Sequence, residues 1–302
     1  MARPARILFV FLDGVGIGTS DPERNPFLRA RAPALTHLFG GEPPDLEEPV
    51  RHGPDGAAFP LDAGLGVNGT PQSGTGQSAL LTGLEAGTLF GGHFGPWVPV
   101  RLRPLVEERS VLRAVTTAGG AAAFANAYPR GWPGPNGSRR IAGPPLAARG
   151  AGLLDRHEEA LEQGRAVSSE IVNDGWRQRL GRAGIPDVTP EHAGRNLAAI
   201  ANHHDLTLYA HYGTDTAGHT REMSAAVTAI ERVDRFVQGV LESLAGGTLL
   251  FIASDHGNLE DVWAGHTRNP ALGLATGPGW EEATALRDLR DVAPYLRRCL
   301  GA

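Results

Sequence analysis

The sequence predicts an α/β protein: a mostly parallel sheet sandwiched by helices. Three apolar runs carry this reading, at residues 7–12, 206–210 and 248–253. Each is continuous and short, as strands buried on both faces of a parallel sheet are. Helical periodicity lies between them. The longest stretch, 222–244, places Ala225, Ile230, Val233, Phe236, Val237 and Val240 mainly on one side. At 302 residues, with 41% hydrophobic and 20% charged, the chain has ample material for a sizeable core. We expect one domain over residues 1–302.

Taken in order, the strand at 7–12 ends in Asp13-Gly14, a turn, and a helix is expected from about Pro26 to Leu38. Residues 40–72 are rich in Gly, Pro and Asp and read as loop. A Gly-rich turn from Ser73 leads into a helix expected to start at Ser78-Ala79-Leu80-Leu81. A helix at 105–118 and a strand at 121–128 follow, then a long Gly/Pro/Arg loop at 129–150. Helical patterns return at 155–163, 170–183 and 190–203. After the long helix come strands at 248–253 and 271–276 and a closing helix at 288–300. The middle segment, 85–205, completes the core and leaves room for at most a small cap.

Composition excludes several chemistries. The chain has no lysine, so all 28 basic residues are arginine. Schiff-base, pyridoxal-phosphate and P-loop lysine chemistry are therefore absent. The single Cys299 makes neither an internal disulfide nor a Cys-based zinc site. A net charge of −5, with no basic cluster or aromatic ladder, argues against a nucleic-acid partner. No apolar run reaches a membrane span, and the first ten residues do not read as a secretion signal. These bounds suit a cytoplasmic enzyme with no membrane partner.

In α/β sheets of this kind, functional residues gather beyond the carboxyl ends of the strands. Asp13 directly follows the first strand. Asp215 and His219 follow the strand at 206–210, four residues apart, so a helical turn would point both the same way. Asp255 and His256 follow the strand at 248–253, and His266 lies ten residues on. Carboxylate oxygen and imidazole nitrogen are ligands for divalent metals. A single Asp-His pair is ordinarily a turn or cap; several pairs, each just past a buried strand, are brought to one sheet edge. The segment Gln72-Ser73-Gly74-Thr75-Gly76-Gln77-Ser78 adds hydroxyls at a helix start, where backbone N–H groups favour an anion. Beside metals, such a hydroxyl can attack phosphorus.

The set resembles the alkaline phosphatase superfamily, and is most similar to its branch of cofactor-independent phosphoglycerate mutase and phosphopentomutase. The shared pattern is Asp13-Gly14 after an apolar strand, Ser73 three residues before Gly76, Asp215-x-x-x-His219, Asp255-His256-Gly257-Asn258 and His266-Thr267-Arg268-Asn269-Pro270. It covers about residues 5–85 and 205–300. The resemblance implies an alkaline-phosphatase-like core and two divalent ions, Mn or Zn with Mg as the alternative. One ion would be held by Asp215, His219 and His266, and the other by Asp13, Asp255, His256 and Ser73. It implies Ser73 as the nucleophile, with Thr75 as the local rival, and a phosphoserine intermediate on a small phosphorylated substrate. The mutases usually have His where this chain has Gln77. Sulfatases need Pro and Arg at fixed places after the nucleophile, and this chain lacks both.

The mutases also carry a large closing domain between the nucleophile and the Asp-x-x-x-His motif, which keeps water off the phosphoenzyme. The interval here is too short for a full one. We therefore expect a phosphatase or phosphodiesterase, with phosphomutase as the alternative and a non-catalytic binder of phosphorylated ligands as the reading from another class. For substrate contacts the candidates are Arg139 and Arg140, chosen from Arg101, Arg103, Arg130 and Arg177, together with His93 and Gln77. His203 and His204, at a helix end, read as structural.

Overall fold

The computed structural model describes residues 3–134 and 140–302. Its centre is a seven-stranded mixed sheet in the order β2-β3-β7-β6-β1-β5-β4. The strands are β1 (Arg6–Leu12), β2 (Arg51–Gly53), β3 (Gly56–Leu61), β4 (Ala122–Phe124), β5 (Leu206–His211), β6 (Thr248–Ala253) and β7 (Ala271–Thr276). The central β1 pairs in parallel with β5 and β6, and β4 adds in parallel beyond β5. The other edge is antiparallel, β7 against β6, β3 against β7 and β2 against β3.

Why β1 is apolar throughout follows from the two faces. Ile7, Phe9 and Phe11 enter one core with the helices Ser73–Thr82, Val111–Thr117, Gly143–Ala151 and Val292–Leu300. Leu8, Val10 and Leu12 enter the other, with the helices Pro33–Phe39, Pro190–Ala201 and Met223–Ser243. Successive side chains of a strand point to opposite faces, so a strand covered on both sides needs apolar residues at every position.

The structure corrects several expected boundaries. Residues 40–72, expected as loop, contain β2 and β3. The alanines and Pro60 there hide the strand signal. Pro60 is tolerated because β2 pairs only with residues 56–58, so Pro60 has a neighbour on its β7 side alone. The stretch 105–118 is two helices, Arg103–Arg109 and Val111–Thr117, broken at Ser110, whose hydroxyl caps the second. The loop expected at 129–150 ends in the helix Gly143–Ala151. The expected helix at 26–38 is a short 3₁₀ turn, Pro26–Leu28, followed by Pro33–Phe39. The middle segment contributes β4 and the helix Pro190–Ala201, which packs along Met223–Ser243. Among the described residues, no helix is long and apolar enough to cross a membrane.

Candidate metal centre

Three strand ends and one helix start build the site. Asp13 follows β1, Asp255 and His256 follow β6, and Asp215 and His219 lie on the helix Gly213–Thr220 after β5. Because β5, β1 and β6 are parallel neighbours, their carboxyl ends lie side by side. The helix Ser73–Thr82 starts at Ser73, five residues earlier than expected, and every residue in it is buried. Gly76 allows this helix to approach β6: a Cβ there would stand 2.6 Å from the Asp255 carbonyl oxygen.

The ligand candidates converge. Asp13, Asp255 and His256 each offer an atom within 4.8 Å of one another, and so do Asp215, His256 and His266. The His256 imidazole therefore belongs to both groups, which the sequence reading did not anticipate. His219 Nε2 stands 3.2 Å from Asp215 Oδ2 and 3.2 Å from His266 Nε2. His266 Nε2 is 3.5 Å from Asp215 Oδ1. The His256 and His266 rings stack with centroids 4.1 Å apart. Ser73 Oγ lies 3.0 Å from His256 Nε2, which is 3.3 Å from Asp13 Oδ1. Thr75, by contrast, is engaged away from this cluster, donating to the Gln72 carbonyl and accepting from the Phe94 N–H.

The electrostatics are those of a centre designed for cations. Burial, and next the neighbouring Asp255, push the Asp13 carboxyl well above its usual range. Burial likewise raises Asp255. Burial alone would lower His256, but Asp255 and Asp13 outweigh it and lift the imidazole to about 10. For Asp215, burial is opposed by the His266 hydrogen bond and by His256, and its carboxyl settles at about 2. Crowded carboxylates hold a proton on the imidazole between them, which is the charge a divalent ion would otherwise supply. The buried oxygen Asp255 Oδ2 has no hydrogen-bond partner among the described residues, and Asp13 Oδ1 has only the His256 ring at 3.3 Å. Buried anionic oxygens without partners fit metal ligation. The donor set, carboxylate and imidazole with one hydroxyl, suits a divalent cation.

Around these groups stands a shell the sequence reading missed. Asn258 donates to Asp215 Oδ1 at 2.7 Å. Glu260, fully buried, accepts from the Gly16, Asn258 and Asn269 nitrogens and from the Thr267 hydroxyl, tying the β1 end to the His266 loop. Its signal was an acid five residues after Asp255, but nothing in the sequence shows that it is buried. The Ser254 hydroxyl accepts from the Val15 N–H, and Thr214 donates to the Asp13 carbonyl.

The expected substrate contacts fare differently. Gln77 is buried; its Nε2 donates to Asp13 Oδ2 at 3.4 Å and its Oε1 accepts from the Gly143 N–H at 2.8 Å. Both ends of its amide are used within the protein, so it supports a ligand carboxylate in place of touching substrate. His93 is half-buried, and burial, before any other cause, lowers its imidazole below the ordinary range. Arg140 is exposed, and Arg139 lies outside the described residues. Arg130 and Arg177 are committed to ion pairs with Glu159 and with Asp174 and Asp187.

Fold and site together define a metalloenzyme-type centre at the carboxyl edge of an α/β sheet. A family model described as the metalloenzyme superfamily matches residues 186–296. The chain is 36% identical over 132 residues to the 2,3-bisphosphoglycerate-independent phosphoglycerate mutase of Desulforudis audaxviator, covering 38% of this chain and 25% of that protein. The enzyme of the same name from Gloeobacter violaceus is 35% identical over 140 residues, covering 38% of this chain and 26% of that protein. The chain thus spans about a quarter of the length of the curated relatives it matches. Among solved structures, the PH0037 protein from Pyrococcus horikoshii superposes with a TM-score of 0.59 at 14% identity, covering 100% of this chain and 98% of that one. The alkaline phosphatase of the Antarctic bacterium TAB5 does so with a TM-score of 0.55 at 11% identity, covering 100% and 99%. The fold is therefore alkaline-phosphatase-like, and the sequence similarity to phosphoglycerate mutases is confined to part of the chain.

Proposed function

We propose that the chain is a metal-dependent phosphoester hydrolase acting on small phosphorylated substrates, with Ser73 as nucleophile. The observation that carries this reading is Ser73 Oγ, the hydroxyl of the first residue of a buried helix, 3.0 Å from His256 within the ligand cluster. Asp215, His219 and His266 would hold one divalent ion, Mn or Zn, and Asp13, Asp255, His256 and Ser73 a second. Bound there, the ions would lower the pKa of the serine hydroxyl and neutralise the phosphate oxygens.

The chain's own residues do the rest. Ser73 Oγ forms a bond to phosphorus as the ester P–O bond breaks, and the alcohol leaves with a proton. The helix N-terminus places its positive end at Ser73, where negative charge collects. Asn258 holds the Asp215 carboxylate and Gln77 holds Asp13, so the ligands keep their orientation through the reaction. Water then cleaves the phosphoserine and regenerates the hydroxyl.

Hydrolysis is supported by the accessible rim. His219 has 54% of its side chain exposed, and the described part of the middle segment supplies strand and helices to the core. We read the described residues as a single domain, with no separate lid among them to exclude water. The relatives matched are mutases, which favours a second reading, transfer to another hydroxyl of the same substrate. The test is turnover of wild type and Ser73→Ala, each loaded with Mn, Zn or Mg, on phosphomonoesters, a phosphodiester, 3-phosphoglycerate and ribose 1-phosphate. Free phosphate that disappears in Ser73→Ala supports hydrolysis. Rearranged product without free phosphate supports the mutase. Tight phosphoester binding with no turnover under any metal leaves a non-catalytic binder.

A further inference from the structure

We infer that Arg221 and Arg268 form a clamp that selects phosphoesters carrying a second anionic group. The inference rests on the phosphoryl-transfer reading of the site and adds to it the residues that would set substrate preference.

Arg221 directly follows the helix that carries Asp215 and His219, and its backbone is left-handed, with φ 57°. Glycine adopts that conformation without steric cost and arginine does not. Among the described residues the other non-glycine positions with positive φ are Leu65 and Ile171. Both are fully buried, and core packing holds them. Arg221 is exposed and caps its helix, its N–H donating to the Gly218 carbonyl, at a position where glycine is the usual residue and packing does not call for arginine. Its side chain reaches the His266 loop: Nη2 lies 3.8 Å from the place a Cβ would take on Gly265, the residue before His266.

Arg268 is reached from the same histidine. Thr267 bridges to Gly257 in extended pairing and turns its hydroxyl inward to Glu260. Side chains alternate along such a segment, so Arg268 projects on the same side as His266. Its charge acts on His93, whose ring packs over Gly69 in the loop where the Pro71 carbonyl faces His266 Nδ1 at 3.1 Å. Both arginines are exposed, and neither side chain has a hydrogen bond or ion pair among the described residues. One guanidinium thus lies against the residue before His266, and the other belongs to the second residue after it, in a loop whose His266 pairs with the exposed His219.

Charge balance indicates what they would hold. Asp13, Asp215 and Asp255 leave two divalent ions one positive charge in excess, and a phosphate dianion turns this into one negative charge. Two guanidiniums restore one positive charge, which one carboxylate on the substrate neutralises. Arginine suits this because its planar fork matches a carboxylate or phosphate edge.

The test compares ligands that differ only in the second anion. Arg221→Gly, Arg268→Gln and the double variant are prepared; the glycine relieves the left-handed backbone, so its thermal midpoint should not fall. With Mn present, calorimetry measures phosphonoacetate against methylphosphonate. Wild type should favour phosphonoacetate by about tenfold or more, each single variant should narrow the gap, and the double variant should remove it. In turnover, the kcat/KM ratio of phosphoglycolate to ethyl phosphate should fall by about tenfold or more in the double variant. A wild type without a preference, or a preference that survives in the double variant, overturns the clamp. A binding preference that depends on the arginines, with neither ester turned over, keeps the clamp and sinks the hydrolase reading. Turnover of both esters at a ratio the variants do not change does the reverse.

Discussion

Single side chains decide this centre through what surrounds them. Ser73 and Thr75 are both buried hydroxyls on the same helix turn, yet only Ser73 faces His256. Ser73→Ala should abolish turnover, lowering kcat by about 10³-fold or more, while removing one hydroxyl costs about 1 kcal/mol or less of stability. Steady-state kinetics beside thermal melts separates the two effects. Gln77 bridges Asp13 to the Gly143 N–H, so Gln77→Leu strands both groups. It should cost about 1–3 kcal/mol and weaken metal affinity by about tenfold or more, read by denaturant melts and metal titration. His211 gives a pH dependence. Burial lowers its imidazole to about 4, against a partial rescue by the Ser169 carbonyl that accepts from Nδ1. The unfolded chain binds this proton at higher pH than the folded one does. Stability from neutral His211 is therefore complete above about pH 6.5 and drains away as pH falls towards 4, by on the order of 3 kcal/mol. The slope of unfolding free energy between those limits should flatten in His211→Asn; an unchanged slope would refute it.

At the scale of elements, contacts between distant segments replace local signals. The helix Pro33–Phe39 has no side-chain cap from its own N-cap residue, Ala32. Asp234, fully buried on the helix Met223–Ser243, accepts from the Leu35 N–H at 2.8 Å and does the capping instead. Asp234→Ala should cost about 1–2 kcal/mol, and Asp234→Asn, which keeps an acceptor oxygen, clearly less. The same long helix lies so close to Pro190–Ala201 that a Cβ on Gly239 would stand 2.0 Å from the Glu191 carbonyl oxygen. That crossing holds the strand β5 side of the sheet in place, and with it the helix bearing Asp215 and His219.

For the whole molecule, the centre couples metal to stability. Asp13, Asp215 and Asp255 converge from three separate strand ends, so their repulsion opposes the fold until cations neutralise it. Adding metal at about 1,000 times its Kd should stabilise the protein by about 4 kcal/mol per site. Chelation should lower the thermal midpoint, and lower it less in Asp13→Asn, where one ligand carboxylate is gone. A melting curve indifferent to metal and chelator alike would argue against resident ions.

Much of this was legible in the chain. The strands β1, β5, β6 and β7 announce themselves because burial on both faces demands unbroken apolar runs. The candidate ligands Asp13, Asp215, Asp255 and His256 stand at or soon after the ends of β1, β5 and β6, and parallel neighbours bring those ends to one edge. The chain alone therefore specifies the fold class, the edge and the kinds of atom gathered there. The tertiary structure alone decided the rest: that β2 and β3 close the antiparallel edge, that Gln77 turns inward to Asp13, that His256 sits between both ligand groups, and that Glu260 ties the loops beneath them. Periodicity and motif spacing are local properties of a chain. Which buried polar atom meets which partner depends on contacts between segments up to hundreds of residues apart, and no local pattern records them.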